Sequence, residues 1–188
     1  EIIKQSGSSI GIGETGDTIS LTGNTINLGT TGNTVNIAGS AYAAAGTNTP
    51  NFHVKNSSQS ISASTWTTVV FSAEDFDTGS LYNTSNGKLT VDANTTGKYF
   101  LYASVKYASS SISRNSLAFY KNGTETLKTE YGNSTSYPSV NVSGIINLSS
   151  SGDYIEVKVN QNDGTKSLSG EAEGIFFGGY KIIEWAVK

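Results

Sequence analysis

The chain has 188 residues and a formal net charge of −3, with 12 basic and 15 acidic side chains, one histidine and no cysteine. The absence of cysteine excludes disulfides, thiolate metal sites and a cysteine nucleophile, and no basic stripe exists that could neutralise the phosphates of a nucleic acid. Only 36% of the residues are apolar and no apolar run reaches the roughly 18 to 20 residues of a membrane helix, a profile typical of an all-β protein of an extracellular or particle surface.

The first forty residues carry a short repeat. Four units begin at Gly7, Gly16, Gly23 and Gly32, and each ends in two apolar residues that are two positions apart. Apolar residues at this spacing lie on one side of a strand. Gly-Asn and Gly-Asp suit turns because these residues tolerate positive φ. The repeat therefore predicts a turn and a very short strand in every unit.

The apolar positions of the repeat form one thin stripe that the repeat itself cannot cover. Units of this kind must stack on neighbours or on copies from other chains. Three intertwined chains would bury every stripe along a common axis, so we predict a trimeric β-shaft, with a flexible linker as the alternative. The predicted shaft core consists of Ile10, Ile12, Ile19, Leu21, Ile26, Leu28, Val35 and Ile37. In its rhythm the repeat resembles the shaft repeats of phage tail fibres.

A change of composition divides the chain into three parts. Residues 40–50 are mostly small and include Gly46 and Pro50, which favours a connecting neck. We therefore predict a shaft over residues 1–39, a neck over 40–50 and a head over 51–188. Since the chain contains no methionine, we expect it to be a processed or partial product.

The head shows the alternation of β-strands. Apolar alternation recurs along it, with turn sequences such as Asn86-Gly87, Asn122-Gly123 and Asp163-Gly164 between the segments. No segment holds a 3.6-residue apolar period, so we expect almost no helix. The predicted strands are 52–54, 66–71, 88–91, 98–108, 116–121, 125–131, 139–148, 154–160 and 173–183. This pattern favours a two-sheet jelly roll or sandwich.

Several short motifs follow one another along the head in a fixed order. They include Leu81-Tyr82-Asn83, Gly87-Lys88-Leu89-Thr90-Val91, Gly97-Lys98-Tyr99-Phe100-Leu101, Phe119-Tyr120-Lys121-Asn122-Gly123, Gly152-Asp153-Tyr154-Ile155-Glu156-Val157 and Phe176-Phe177-Gly178-Gly179-Tyr180. This series resembles complement C1q-like domains, with Leu89 where that family usually has Phe and Gly178-Gly179 where it usually has Ser-Gly. The resemblance implies a ten-strand jelly roll, similar to the tumour-necrosis-factor fold, assembled as a homotrimer.

A shaft and a head that both favour three chains indicate a fibre with a terminal knob. We expect the chain to be the tip of a viral tail fibre, in the first place a phage tail fibre, on the virion surface. Its head would bind a glycan or protein of the host cell. Its other partners would be its own copies and the rest of the fibre. A purely structural trimerisation module is the alternative, and a glycan-cleaving head is a third hypothesis.

The sequence holds few groups for catalysis or metal binding. The single His53 reads as a partly exposed strand residue, and a serine triad would need this one histidine, so we predict no enzyme and no catalytic residue. The densest acidic cluster is Glu74-Asp75-Phe76-Asp77. It reads as a solvated loop and strand edge, with calcium bound by Asp75 and Asp77 as the alternative because carboxylates are calcium ligands. No other cofactor is expected.

Two long polar loops, residues 109–115 and 132–137, are the candidates for receptor binding, because loops on a rigid scaffold vary freely. Tyrosine rings there could stack on sugars while neighbouring polar side chains supply hydrogen bonds. The candidates are Tyr107, Arg114, Asn115, Tyr131, Asn133 and Tyr137. The competing interpretation is that the tyrosines pack between subunits.

Overall fold

A computed structural model describes residues 48–108, 111–134, 137–170 and 173–182. These ranges contain strands, turns and bends but no helix, and accordingly none long and apolar enough to cross a membrane. The predicted shaft, its eight core residues and most of the predicted neck lie outside the described residues.

Thirteen strands lie within the described ranges, and four of them hold only two residues, which is why the number exceeds the ten implied by the resemblance. They are β1 Asn51–Lys55, β2 Ser60–Ile61, β3 Thr67–Thr68, β4 Ala73–Asp77, β5 Tyr82–Asn83, β6 Lys88–Thr90, β7 Gly97–Lys106, β8 Ile112–Lys121, β9 Thr124–Ser134, β10 Ser139–Leu148, β11 Tyr154–Gln161, β12 Lys166–Ser167 and β13 Phe176–Lys181.

The strands form two main antiparallel sheets. The first sheet has the order β10-β7-β13-β1-β4, and the second has the order β5-β6-β11-β8-β9 with β3 added beside β11. A small third pair joins β12 to β2. Chain neighbours are often in different sheets, which is the crossing pattern of a jelly roll rather than of a simple meander.

The core lies between the inward faces of the two sheets. Along β7, Tyr99, Leu101, Ala103 and Val105 are buried while the residues between them point outward, as the two-residue period of a strand requires. Phe177 on β13 connects the two sheets. Its ring lies 4.8 Å from that of Phe52 in the first sheet and 5.8 Å from that of Phe119 in the second.

Most of the predicted strands are confirmed, with ends that differ by a few residues. The prediction for 139–148 coincides with β10. Asn122 and Gly123 form the two-residue turn between β8 and β9, with φ of 51° and 81°. Two positive φ values give the turn the twist of its flanking strands, and this is why Asn-Gly is a strong hairpin signal.

The predicted strand over residues 66–71 is confirmed only in part, because Thr67–Thr68 alone form a strand there, paired with β11. Val69 N adds one more backbone hydrogen bond, to Val157 O of β11 at 2.8 Å. Side chains replace the neighbouring strand after that: Gln59 Oε1 accepts a hydrogen bond from Val70 N at 2.6 Å, and Tyr82 Oη accepts one from Phe71 N at 2.9 Å. The apolar run therefore leaves the sheet after Val69.

Three polar segments contain more strand than predicted, although the acidic cluster does lie at a strand edge as expected. The acidic cluster belongs to β4, an edge strand of the first sheet whose pairing with β1 is bulged, a position where charged side chains are well tolerated. The two candidate receptor loops are largely strand as well, since β8 begins at Ile112 and β9 continues to Ser134.

Asp153 ties the turn before β11 to the β8–β9 hairpin. The residue is only 7% exposed, and its carboxylate accepts hydrogen bonds from Asn122 Nδ2 at 2.7 Å and Ser150 N at 3.1 Å while Lys121 Nζ lies 3.0 Å away. The hydrogen bond from Asn122, followed by the one from Lys121, lowers the pKa of Asp153 to about 2. Asn122 Oδ1 in turn accepts from Tyr154 N at 2.9 Å.

Replacing Phe177 by alanine should lower the free energy of unfolding by about 3–5 kcal/mol, because the change leaves a cavity between the sheets. Urea denaturation followed by circular dichroism at one protein concentration would measure the difference. Phe177→Leu keeps much of the volume and should cost clearly less. An alanine variant as stable as the parent chain would contradict the connecting role of this ring.

Replacing Asp153 by alanine should lower the free energy of unfolding at pH 7 by about 2 kcal/mol, because a nearly buried charged acceptor is lost. The pKa of Asp153 is lower in the folded than in the unfolded chain, where it is about 4. Its contribution is therefore complete above pH 5 and is lost as the pH falls toward 2. The loss of stability between pH 5 and 2 should be smaller in the variant, and equal slopes would refute this assignment.

Candidate functional site

The outward side of the first sheet is lined by aromatic and apolar side chains, which we call the aromatic face. Its members come from all five strands of the sheet and alternate with core residues. They are His53, Phe76, Phe100, Tyr102, Ile145, Phe176 and Tyr180. The register places them in rows across the sheet, of which Ile145, Phe100 and Tyr180 form one.

The rings of the aromatic face follow one another without interruption. The ring of Phe100 lies 5.6 Å from that of Tyr180 and 6.2 Å from that of Tyr102, and Tyr102 lies 6.1 Å from Phe176. His53 continues the series, 5.9 Å from Phe176. These separations are those of aromatic pairs that attract one another beyond simple burial, so the face is a packed layer rather than a scatter of single residues.

The aromatic face is exposed at its margins. Phe76 is 47% exposed, Ile145 62% and Tyr180 36%. A groove of about 510 Å³ is lined by Phe76, Tyr102 and Tyr180 and by the polar residues Asn48 and Asn51. Contiguous exposed apolar surface of this kind is typical of interaction sites.

Gly178 shapes the middle of the aromatic face. Tyr102 lies directly opposite on β7, and a Cβ atom on Gly178 would come within 2.5 Å of Tyr102 Oη. The absence of a side chain therefore lets the Tyr102 ring lie flat across β13. Partial burial in this position raises the pKa of Tyr102. A serine at residue 178 would not fit beside Tyr102 in this orientation.

A hydrogen-bonded charge cluster lies at the β1–β4 margin of the aromatic face. His53 Nδ1 is 2.9 Å from Asp75 Oδ2, and Lys55 Nζ forms an ion pair with the other oxygen of the same carboxylate. The hydrogen bond from Lys55, ahead of the one from His53, lowers the pKa of Asp75. The His53 ring also stacks on Phe76 at 6.1 Å, so its orientation is fixed by both contacts.

The structure does not bring Asp75 and Asp77 together around one ion. Asp75 is turned toward His53 and Lys55 on the outward side, whereas Asp77 pairs with the inward-facing Phe52. Both oxygens of Asp77 accept backbone hydrogen bonds from the following turn, from Gly79 N at 3.2 Å and Tyr82 N at 2.7 Å. The bulge in the β1–β4 pairing separates the two carboxylates, so the predicted shared calcium site is withdrawn. In the described ranges no three histidine or acidic side chains cluster as metal ligands.

Two of the predicted receptor residues are buried and are inaccessible to a ligand. Tyr107 continues the inward alternation of β7 beyond its last residue and is fully buried, and burial raises its pKa. Asn115 lies on the inward side of β8 and is 1% exposed. Asn115 was expected in a loop and instead belongs to β8, whereas Tyr107, predicted at the end of a strand, follows β7 and forms a single bridge with Leu168.

The other predicted receptor residues stay near the surface. Tyr131 is 50% and Tyr137 59% exposed, and Arg114 is exposed beside Gly132 on the neighbouring β9. Lys106 Nζ lies 5.9 Å above the Tyr137 ring. Asn133 belongs to β9, but its side chain lies outside the described set. The register therefore brings Arg114 and Tyr131 to adjacent strands, and Tyr137 follows β9 on the way to β10.

The sequence analysis missed the aromatic face, although a signal was present. In Gly97–Lys106 the run Tyr99, Phe100, Leu101 and Tyr102 is apolar at every position. A strand with one wet side alternates, whereas a continuous apolar run indicates a strand covered on both sides. The same holds for Phe176 and Phe177 on β13.

No protein-family model matches the chain, and no curated protein sequence matches it. Solved structures do match. Murine APRIL at pH 8.0 is 21% identical, covers 70% of this chain and 98% of its own, and has a TM-score of 0.56. Eiger TNF from S. frugiperda is 16% identical over 73% of this chain and 96% of its own, with a TM-score of 0.54. The globular domain of zebrafish complement 1qA protein is 17% identical over 72% and 98%, with a TM-score of 0.52.

At these identities the likeness establishes the fold. The described head is a jelly roll of the C1q and tumour-necrosis-factor kind, as the order of its sequence motifs implied.

Proposed function

We propose that the chain is the head and part of the shaft of a trimeric fibre, and that the aromatic face is the surface through which its copies meet. The aromatic face is the observation that carries this proposal. Burial against a partner would stabilise a continuous layer of rings on the outside of a sheet, because each buried aromatic side chain withdraws a large apolar area from water.

A second copy of the chain is the occupant that best fits the aromatic face. The charged groups at its β1–β4 margin, Lys55 and Asp75, neutralise each other, so the surface offers a partner little net charge. The five strands hold 10, 10, 6, 5 and 5 residues. At about 3.4 Å per residue and about 4.8 Å between strands they give a face of roughly 600 Å². Stable protein interfaces bury about 600–1,000 Å² on each partner, so the face reaches the lower end of this range.

A threefold arrangement suits both parts of the chain. The apolar stripes of residues 1–39 would be buried by three intertwined chains, and a head-to-tail interface between identical heads closes into a ring. We infer a phage tail fibre from the resemblance of the repeat to such shafts. The virion surface would be its location and the rest of the fibre a further partner.

The receptor contacts of such a head would lie outside the aromatic face. Tyr131, Tyr137 and Arg114 are exposed and remain candidates together with Asn133, while Tyr107 and Asn115 are dropped. The receptor would be a glycan or protein of the host-cell surface. A head that trimerises without binding a receptor is the alternative, and the aromatic face alone would serve it equally. We propose no catalytic activity, which sets aside the glycan-cleaving head.

The solution mass from light scattering tests the assembly. The full chain should give about 59 kDa, three times the chain mass of 19.7 kDa. A shortened chain of residues 48–188 should also be trimeric if the head assembles through the aromatic face. A full chain near 20 kDa would refute the trimeric fibre, and a monomeric shortened chain would refute the aromatic face as the contact between copies.

Phe76→Asp should convert the shortened trimer into monomers, because it places a charge on an exposed margin of the aromatic face without touching the core. The matched control is Thr84→Asp, which adds the same charge to an exposed turn beside the second sheet. Circular dichroism of both variants should remain that of the parent head. An unchanged mass for Phe76→Asp would contradict the proposed contact.

Tyr131→Ala combined with Tyr137→Ala should reduce the binding of the labelled full chain to a panel of bacterial cells at least fivefold without changing its mass. Cell binding that does not respond to these substitutions would remove both tyrosines from the receptor site. A trimer that binds no cell of the panel would favour the structural alternative.

A further inference from the structure

We propose that the outward side of the second sheet carries a carbohydrate-binding platform built on Trp66 and Tyr120, and that it takes a neutral sugar. Trp66 directly precedes β3, and Tyr120 lies near the end of β8. Their ring centroids are 5.6 Å apart at an interplanar angle of 58°. Both side chains are half-buried, so the two rings form an open corner instead of a closed stack.

A small residue precedes Tyr120 on the same side of the sheet. Ala118 is two positions before Tyr120 on β8 and therefore points to the same side, between Lys128 and Lys158 on the neighbouring strands. It is fully buried although it faces outward, which means that the larger side chains around it cover it.

Polar groups surround the rings and are held in place by one another. Glu156 Oε1 accepts a hydrogen bond from Thr68 Oγ1 at 2.9 Å, and its other oxygen lies 3.5 Å from Lys158 Nζ. Lys158 Nζ is also 4.9 Å from the Tyr120 ring centroid. On the other side, Tyr120 Oη donates to Glu125 Oε2 at 3.4 Å. Each carboxylate can accept more than these bonds, and the ammonium group has further protons to donate.

This combination of groups matches the chemistry of a sugar. The C–H face of a pyranose packs against aromatic rings, and its hydroxyls need acceptors and donors at the rim. Acids and bases balance on this side of the sheet: Glu125 is also 3.6 Å from Lys128, and Glu156 pairs with Lys158. Lys88, opposite Glu156, is matched by Glu130, opposite Ser116. A site for sulfate, phosphate or an acidic sugar would carry an excess of positive charge. The balance therefore favours a neutral sugar.

The platform lies on the sheet opposite to the aromatic face. An assembly through the first sheet would leave three platforms on the outside, where weak sites gain from several simultaneous contacts. The platform would thus be a second binding site of the proposed head, with a neutral sugar as its ligand. Only the gain in avidity depends on the proposed trimer.

A matched pair on the same sheet provides the control. Lys88 Nζ lies 4.0 Å above the ring of Tyr154, which repeats the lysine–tyrosine contact of the platform but lacks the tryptophan. Tyr154 lies two positions before Glu156 on the same side of β11, so Tyr154→Ala removes a neighbouring aromatic ring and its cation contact while it leaves both rings of the proposed site in place.

Affinity electrophoresis of the full chain through native gels tests the proposal, with dextran, laminarin, galactomannan or xyloglucan in the gel and heparin as the charged comparison. At least one neutral polysaccharide should retard the chain and heparin should not. Trp66→Ala and Glu156→Gln should weaken the retardation tenfold or more, whereas Trp66→Phe should keep part of it and Tyr154→Ala all of it. Because Glu156→Gln keeps the size of the side chain, it separates lost binding from lost folding.

Three results would overturn the platform: no retardation by any neutral polysaccharide, equal retardation of the parent and Trp66→Ala chains, or retardation by heparin alone. Light scattering on the same samples separates this proposal from the proposed function. A trimer that no polysaccharide retards overturns the platform and leaves the fibre head standing. A monomer whose retardation depends on Trp66 supports the platform and overturns the trimeric fibre.

Discussion

Phe177 packs against both sheets, and this contact determines which side chains of β13 face inward and which face outward. Because this ring is buried between Phe52 and Phe119, the residues on either side of it must face outward, and Phe176 joins the aromatic face for this reason. The pairing of β13 with both β1 and β7 carries the same alternation across the first sheet. Because the Phe177 ring faces inward, the side chains that alternate with it and with its cross-strand neighbours face outward and form the aromatic face.

The two outward surfaces of the sandwich differ in their chemistry. The first sheet presents neighbouring rings with a single neutralised charge cluster at one margin, whereas the second presents two rings among paired acids and bases. A surface of the first kind is stabilised by excluding water over a large area, and a surface of the second kind offers directional hydrogen bonds around a small apolar centre. The two faces are therefore suited to different partners, a large flat one and a small hydroxylated one.

Much of the fold was predictable because strands and tight turns leave local signals. The alternation of β7, β10 and β11 and the Asn122-Gly123 turn are local properties of the chain. The paired state of β4 was not predictable, because a bulge and the neighbouring β1 decide it. The burial of Asn115 depends on how far β8 extends, and that of Tyr107 on its bridge to the distant Leu168, neither of which short polar segments reveal. The only sequence signal for the aromatic face was the unbroken apolar run around Phe100. The Trp66–Tyr120 corner left no local signal, because its two residues are far apart in the chain.

The position of the Tyr102 ring over Gly178 couples two sites that are 76 positions apart in the numbering. A methyl group at residue 178 has no room while a tyrosine occupies residue 102 in this orientation. Among descendants of this sequence the two positions cannot drift independently: a serine at 178 is compatible only with a shorter or differently turned side chain at 102. Substitutions at the two positions are therefore expected to depend on each other, with a side chain at residue 178 tolerated where residue 102 is small and excluded where it is a tyrosine in this orientation.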